Sequence, residues 1–280
     1  MRLEFIFSLH KPVFHDSRRD GSRRMLALIS ILFGAMVGSF LNVCIFRLPQ
    51  GESIIMPGSH CPHCNNPIKF YDNIPLISYL LLRGKCRNCK ASISFQYPLI
   101  EGITALFSCL VSIKFGPSLS YLFYFSFVAA LIVITFIDLY HQIIPDVISL
   151  PGIGLGLLGS LIIPHISFFN SLIGMILGGG SLFLVATLYQ WFFKREGMGG
   201  GDVKLLAMIG AFLGWKAVIL TILLSSLIGS VTGIAIMAFK GKDFKYAIPF
   251  GPFLSLGAVL SLFYGENLIN WYFYLNRPLL

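Results

Sequence analysis

Acidic residues are what this sequence has least of. Only 12 of its 280 residues are Asp or Glu, and charged residues of both signs reach just 12%. A water-soluble domain carries roughly 25% charged residues, so a chain this poor in charge cannot cover an aqueous surface of ordinary size. No G-x-G-x-x-G motif follows a strand, which excludes a Rossmann-type cofactor site. No repeat of solenoid period is visible, so a stacked-repeat scaffold is excluded as well. The first apolar run is long enough to span and has no A-x-A-like cleavage site behind it, which argues against a removable signal peptide.

What the chain has in abundance is uninterrupted apolar sequence: 56% of it is hydrophobic. Met25–Phe46 and Pro117–Ile137 carry no charge, and Val147–Ile163, Asn170–Phe193, Ala217–Phe239 and Ala247–Tyr264 are comparable runs. A helix needs about 20 apolar residues to cross the hydrocarbon. With two weaker stretches, Pro98–Ile113 and Val203–Gly214, the expected fold is an all-α polytopic membrane protein of about eight transmembrane helices. The glycine-dense stretches Gly152–Gly159 and Gly178–Gly180 fall inside these runs, where small residues let helices approach closely.

The formal charge of +9 invites a nucleic-acid reading, but its distribution follows the membrane. If the loop after the first span is cytoplasmic, twelve basic residues share that side: Arg47, Lys69, Arg83, Lys85, Arg87, Lys90, Lys194, Arg195, Lys204, Lys240, Lys242 and Lys245. Lys114, Lys216 and Arg277 fall on the other. The tail, residues 1–24, is basic too and breaks the rule. Translation from Met25, where the first span begins cleanly, stands beside translation from Met1 as a reading of that conflict.

Residues 47–97, a more polar stretch of about fifty residues, interrupt the membrane pattern and are expected to form a small cytoplasmic domain between helices 1 and 2. Within it C-P-H-C (Cys61, Cys64) and C-R-N-C (Cys86, Cys89) are two C-x2-C knuckles. Four thiolates at this spacing suit one tetrahedral Zn²⁺, and so small a domain needs such a staple to fold. Disulfides or a redox pair are the alternatives, which a reducing cytoplasm disfavours. His60 and His63 are possible substitutes for one sulfur. A four-sulfur site has no open position, so this zinc is structural. Cys44 and Cys109 lie in apolar runs and read as buried core residues.

Among so few acids, two positions carry chemistry. Asp138 ends the third span and Asp202 opens the sixth, so both are expected at one membrane face. Two carboxylates held close cannot both ionise easily. The charged member activates a water and the protonated member donates to a carbonyl oxygen. Gly199, Gly200 and Gly201 before Asp202 permit a turn and close approach of a substrate backbone. Asp146, just after Pro145, is a rival partner, although an acid suits the first turn of a helix on dipole grounds alone. Buried carboxylates also serve proton relays, so a proton-coupled transporter with a zinc loop is the competing class. Transport sites sit nearer the midplane, however.

Taken together, these residues resemble the type IV prepilin peptidases, bifunctional leader peptidase/N-methyltransferases of bacterial pilus and type II secretion systems. The matching stretches begin with Gly38–Val43, Arg47–Pro49, Pro57–Cys64, Tyr71–Tyr79, Arg83–Cys89 and Ile93–Pro98. Ile137–Asp146, Glu196–Gly210 and Ile248–Pro252 continue them through residues 98–280, the expected membrane peptidase domain. The resemblance implies that Asp138 and Asp202 are the catalytic aspartates. It implies prepilin and pseudopilin substrates, cut after a glycine on the cytoplasmic side of the inner membrane, and methylation of the new N-terminus from S-adenosylmethionine. The four-cysteine loop matches the zinc-bearing domain that accompanies methyl transfer. Glu52, Asp72 and Asn73 are polar loop positions available to touch that cofactor, though turn-making explains them as well.

Overall fold

The computed structural model describes residues 17–194, 199–240 and 249–275. Most of the N-terminal tail, Glu196 of the glycine-rich motif, Ile248, and the basic residues Arg195, Lys242, Lys245 and Arg277 lie outside the described residues. Helices dominate: α1 (Ser17–Arg47), α2 (Ile77–Leu81), α3 (Gln96–Phe115), α4 (Leu119–His141), α5 (Asp146–Gly159), α6 (Phe168–Phe193), α7 (Gly200–Leu213), α8 (Trp215–Lys240) and α9 (Gly251–Leu275). Among the described residues there is no strand, only two isolated bridges.

Each of the eight apolar runs forms a helix, but among the described residues only six helices are long and apolar enough to cross a membrane: α1, α3, α4, α6, α8 and α9. At 1.5 Å per residue, the 14 residues of α5 and of α7 reach about 21 Å each, short of a hydrocarbon core about 30 Å thick. The expectation of about eight spans is therefore met for six.

Shortness and burial go together in α7. Leu205, Leu206, Met208, Ile209 and Ala211 are wholly buried, so beyond its first turn, which carries Asp202 and Lys204, this helix is apolar on all sides and enclosed by protein. It packs beside α4, whose Phe127, Leu131, Ile134 and Ile137 are also enclosed, with Phe127 stacked on Phe212. Close packing is built on small residues: a Cβ on Gly174 of α6 or Gly210 of α7 would strike the other's backbone, and Gly156 of α5 lies against Ala211.

The connections set the ends of these helices. Gln142, in the left-handed region at φ 54°, caps α4 by donating its N–H to the Asp138 carbonyl. The chain then turns through Pro145 directly into α5. Gly214, at φ 80°, joins α7 to α8 in one residue. Arg47 at the end of α1 is buried and donates to the Ser53 and Pro57 carbonyls at 3.0 and 2.7 Å. It thereby folds the start of the four-cysteine segment back onto the membrane helices.

Candidate active site and metal centre

Asp138 sits in the last turn of α4, and only 5% of its surface is exposed. Its Oδ2 accepts the backbone N–H of Gly251 at 3.0 Å. Gly251 opens α9, so the carboxylate lies at a helix N-terminus, where unpaired amides and the helix dipole favour negative charge. Asp202 occupies the first turn of α7, three residues after the N-cap Gly199. Its carboxyl group lies near enough to Asp138 for the charge of one to bear on the other.

Two glycines and one isoleucine hold this arrangement. A Cβ on Gly251 would stand 2.6 Å from Asp138 Oδ2 and 3.3 Å from Ile144 Cδ1. A Cβ on Gly201 would meet Ile144 Cβ at 2.9 Å. Ile144, from the turn between α4 and α5, is thus wedged between the starts of α7 and α9. Among the described residues nothing lies within 4 Å of where a Cβ on Gly199 or Gly200 would stand, which leaves the approach to Asp202 unobstructed by their own atoms.

Asp146, the rival, is exposed and occupied elsewhere: Lys204 Nζ reaches both of its carboxylate oxygens at 2.7 Å. This pair ties the start of α5 to α7. Asp72 is likewise engaged, by a two-pronged bond from Arg87 at 2.6 to 3.1 Å, with Arg87 over the Tyr71 ring. The Arg87 guanidinium lowers the Asp72 pKa. Glu52 and Asn73 contribute backbone N–H groups that close turns onto Arg47 and Phe70.

The four sulfur atoms of Cys61, Cys64, Cys86 and Cys89 lie within 4.8 Å of one another, and all six cysteines are free thiols. The Cys61–Cys89 separation is 3.8 Å, matching the edge of about 3.8 Å that Zn–S bonds of about 2.3 Å give a tetrahedron. The donor set fits zinc.

The two knuckles repeat at an interval of 25 residues. Asn65 N–H bonds to Cys61 O as Lys90 N–H bonds to Cys86 O, and both residues are left-handed at φ 55° and 61°. Isolated bridges at His60–Pro67 and Lys85–Ser92 flank them in the same register. Amides of Cys89 and then Asn88 point at Cys86 Sγ and pull its pKa down to about 6. Cys89 is pushed up to about 11: the Ala91 N–H favours its thiolate, but desolvation and the neighbouring thiols outweigh that. A zinc ion held by Cys61, Cys64, Cys86 and Cys89 would displace these protons. Cys44 is buried and Cys109 half-buried, both away from the cluster.

Sequence reasoning assigned no role to Gly251, Ile144 or Glu101. The Ile248–Pro252 stretch pointed to the first, since Pro252 after Gly251 marks a helix start. Nothing in the local sequence shows Ile144 to be a spacer. Glu101, inside the Pro98–Ile113 run, is buried and accepts the Leu76 N–H at 2.7 Å.

Six long apolar helices, a carboxylate pair at helix ends and a four-thiol centre describe a polytopic membrane protein with an attached metal-knuckle segment. Residues 32–115 match the Bacterial Peptidase A24 N-terminal domain, and residues 125–234 match the Type IV leader peptidase family. The chain is 40% identical over 269 residues to the prepilin leader peptidase/N-methyltransferase of Aeromonas hydrophila, covering 86% of this chain and 91% of the relative. Proteins of the same name from Pseudomonas aeruginosa and Legionella pneumophila are 38% and 35% identical, each over 268 residues. These cover 88% of this chain and 92% and 93% of the relatives. No solved structure matches. The chain belongs to the type IV leader peptidase family.

Proposed function

We propose that this protein removes the leader peptides of type IV prepilins and type II secretion pseudopilins, and then methylates the exposed N-terminus. The observation that carries the first activity is that Asp138, at the amide end of α9, lies within electrostatic reach of Asp202 in the first turn of α7. In this reading Asp138, which accepts the Gly251 amide, is the charged member and Asp202 holds the proton. Asp138 takes a proton from water as the oxygen attacks the carbonyl carbon of the substrate glycine. Asp202 gives its proton to the carbonyl oxygen, making a tetrahedral diol. Collapse of the diol expels the amine, which takes the proton carried by Asp138, while the oxygen returns its proton to Asp202.

The open flank at Gly199 and Gly200 suits an extended substrate backbone. The site faces the cytoplasm of a bacterial inner membrane in this reading, with basic loops on the same side. Zinc, held by Cys61, Cys64, Cys86 and Cys89, supplies folding energy to residues 47–97. S-adenosylmethionine supplies the methyl group, in keeping with the N-methyltransferase part of the relatives' name. By domain, residues 47–97 serve methyl transfer and residues 98–280 cleavage.

Purified protein in lipid, given one prepilin and a labelled methyl donor, tests both halves. The expected product is a shortened pilin labelled at its new N-terminal residue. Intact prepilin after prolonged incubation would overturn the peptidase reading. Cleaved but unlabelled pilin would overturn the methyltransferase reading alone.

A further inference from the structure

The four-cysteine segment reads as a water-facing domain, yet one part of it lies below the ends of the helices it connects. Leu76, the residue before α2, gives its N–H to Glu101 Oε2 at 2.7 Å. Glu101 is buried on α3 and is also hydrogen-bonded by the Ser39 side chain on α1. Glu101 lies five residues inside the start of α3, and Ser39 eight residues inside the end of α1. At 1.5 Å per residue, the contact sits about 7 Å below one helix end and about 12 Å below the other. Helices that lie in a membrane interface bury their apolar face about 5–10 Å deep.

The outward surface there is continuous with the lipid-facing side of α3. Leu99, Leu106, Leu110 and Ile113 form its exposed stripe, and Gly102 falls on the same face. The Leu76 side chain lies over Gly102, 3.9 Å from where a Cβ would stand. From that point α2 runs outward with Ile77, Leu80 and Leu81 exposed at 51%, 74% and 76%. Its one buried residue, Ser78, is tied back into the loop through the Ile74 N–H and the Tyr71 carbonyl. Phe95 and Tyr97, at the head of α3, are exposed beside it, with Phe95 edge-on to Tyr79. Aromatic rings of this kind favour the membrane–water boundary.

Charge completes the match. Residues 47–97 contain six Lys and Arg against two acids, and one of the acids, Asp72, is bound by Arg87. Arg83 and Lys85 follow α2 directly and are exposed. Basic side chains at this depth reach up to anionic headgroups while their stems stay in the apolar layer.

We propose that α2 is an interfacial membrane anchor: Ile77, Leu80 and Leu81 insert into the adjacent leaflet, and Arg83 and Lys85 hold anionic lipid headgroups. The four-cysteine segment is then moored to the bilayer at a third point, besides its two chain connections. This proposal is independent of the cleavage chemistry.

The test uses the full chain in vesicles of phosphatidylcholine and phosphatidylglycerol with brominated acyl chains. Leu80→Trp adds a fluorophore at a side chain that is 74% exposed, with the parent's three tryptophans as the subtracted background. Leu81→Trp repeats the measurement one residue on, and Asn88→Trp, on the second knuckle, is the water-facing control. Emission from Leu80→Trp or Leu81→Trp is expected to be blue-shifted, strongly quenched by bromolipid and protected from aqueous iodide, with the reverse for Asn88→Trp. Raising the phosphatidylglycerol fraction should deepen the bromolipid quenching, and no change would overturn the headgroup assignment. Iodide quenching of both α2 variants without bromolipid quenching would overturn the anchor. So would a blue shift seen only after a prepilin is added, which would make α2 a docking face for protein.

Discussion

One methyl group at Gly251 puts the geometry of the carboxylate pair under direct strain. In Gly251→Ala the new carbon would stand 2.6 Å from Asp138 Oδ2 and 3.2 Å from its Cγ, where ordinary contacts begin at 3.4 Å. Ile144 Cδ1 at 3.3 Å blocks the other side, so the carboxylate has to retreat by about 0.8 Å. The Gly251 N–H bond, 3.0 Å in the parent, then stretches beyond hydrogen-bond length. A hydrogen bond to a charged group contributes about 1.5–3 kcal/mol, and a misplacement near 1 Å can cost about 100-fold in rate. Leader cleavage should therefore slow between about 10- and 100-fold, mostly in kcat, at 1.4 kcal/mol per tenfold. Alanine is the better helix former, so the fold should hold. Initial rates of prepilin cleavage in reconstituted membranes measure the effect, and methylation of already shortened pilin serves as the control. Cleavage within about twofold of the parent would refute the claim that Gly251 positions Asp138.

A pair that shares one proton works only between its two titrations. Cleavage plotted against pH should be bell-shaped, because acid protonates the base and alkali removes the proton of the acid; a rate still climbing in alkali would eliminate the shared proton. Cys86→Ser removes a thiolate from a set that fits zinc. Elemental analysis should find under half the parent's metal, and limited proteolysis should cut residues 47–97 faster. Undiminished metal would disprove the four-thiol site. Asp146→Asn breaks an ion pair whose side chains are 38% and 55% exposed, a loss of at most about 1 kcal/mol. Cleavage should persist, and its abolition would move the catalytic role from Asp138 to Asp146.

How far the sequence could be read depended on the range of each interaction. Apolar run length is a local property, and it located all eight large helices. It could not distinguish α7, short because protein encloses it, from a helix that crosses lipid. The four cysteines were legible because metal coordination constrains spacing within one short segment. Beyond the shared C-x2-C spacing, the likeness between the knuckles was not, since it lies in backbone bonds and left-handed residues. Asp138 and Asp202 stood out in an acid-poor chain. Their support by Gly251 and Ile144 depends on the starts of α7 and α9 meeting the α4–α5 turn, contacts between segments distant in sequence. Asp72 and Asp146 show the converse: each looked available, and each has a cation that only the folded chain brings to it.

The central claim is that Asp138 and Asp202 act together, and Asp138→Asn and Asp202→Asn test it most directly. Each variant, in native membranes, is offered an intact prepilin and, separately, a pilin already shortened. Both should leave the prepilin uncut while still methylating the shortened pilin. Cleavage at the parent's rate by either variant would contradict the account.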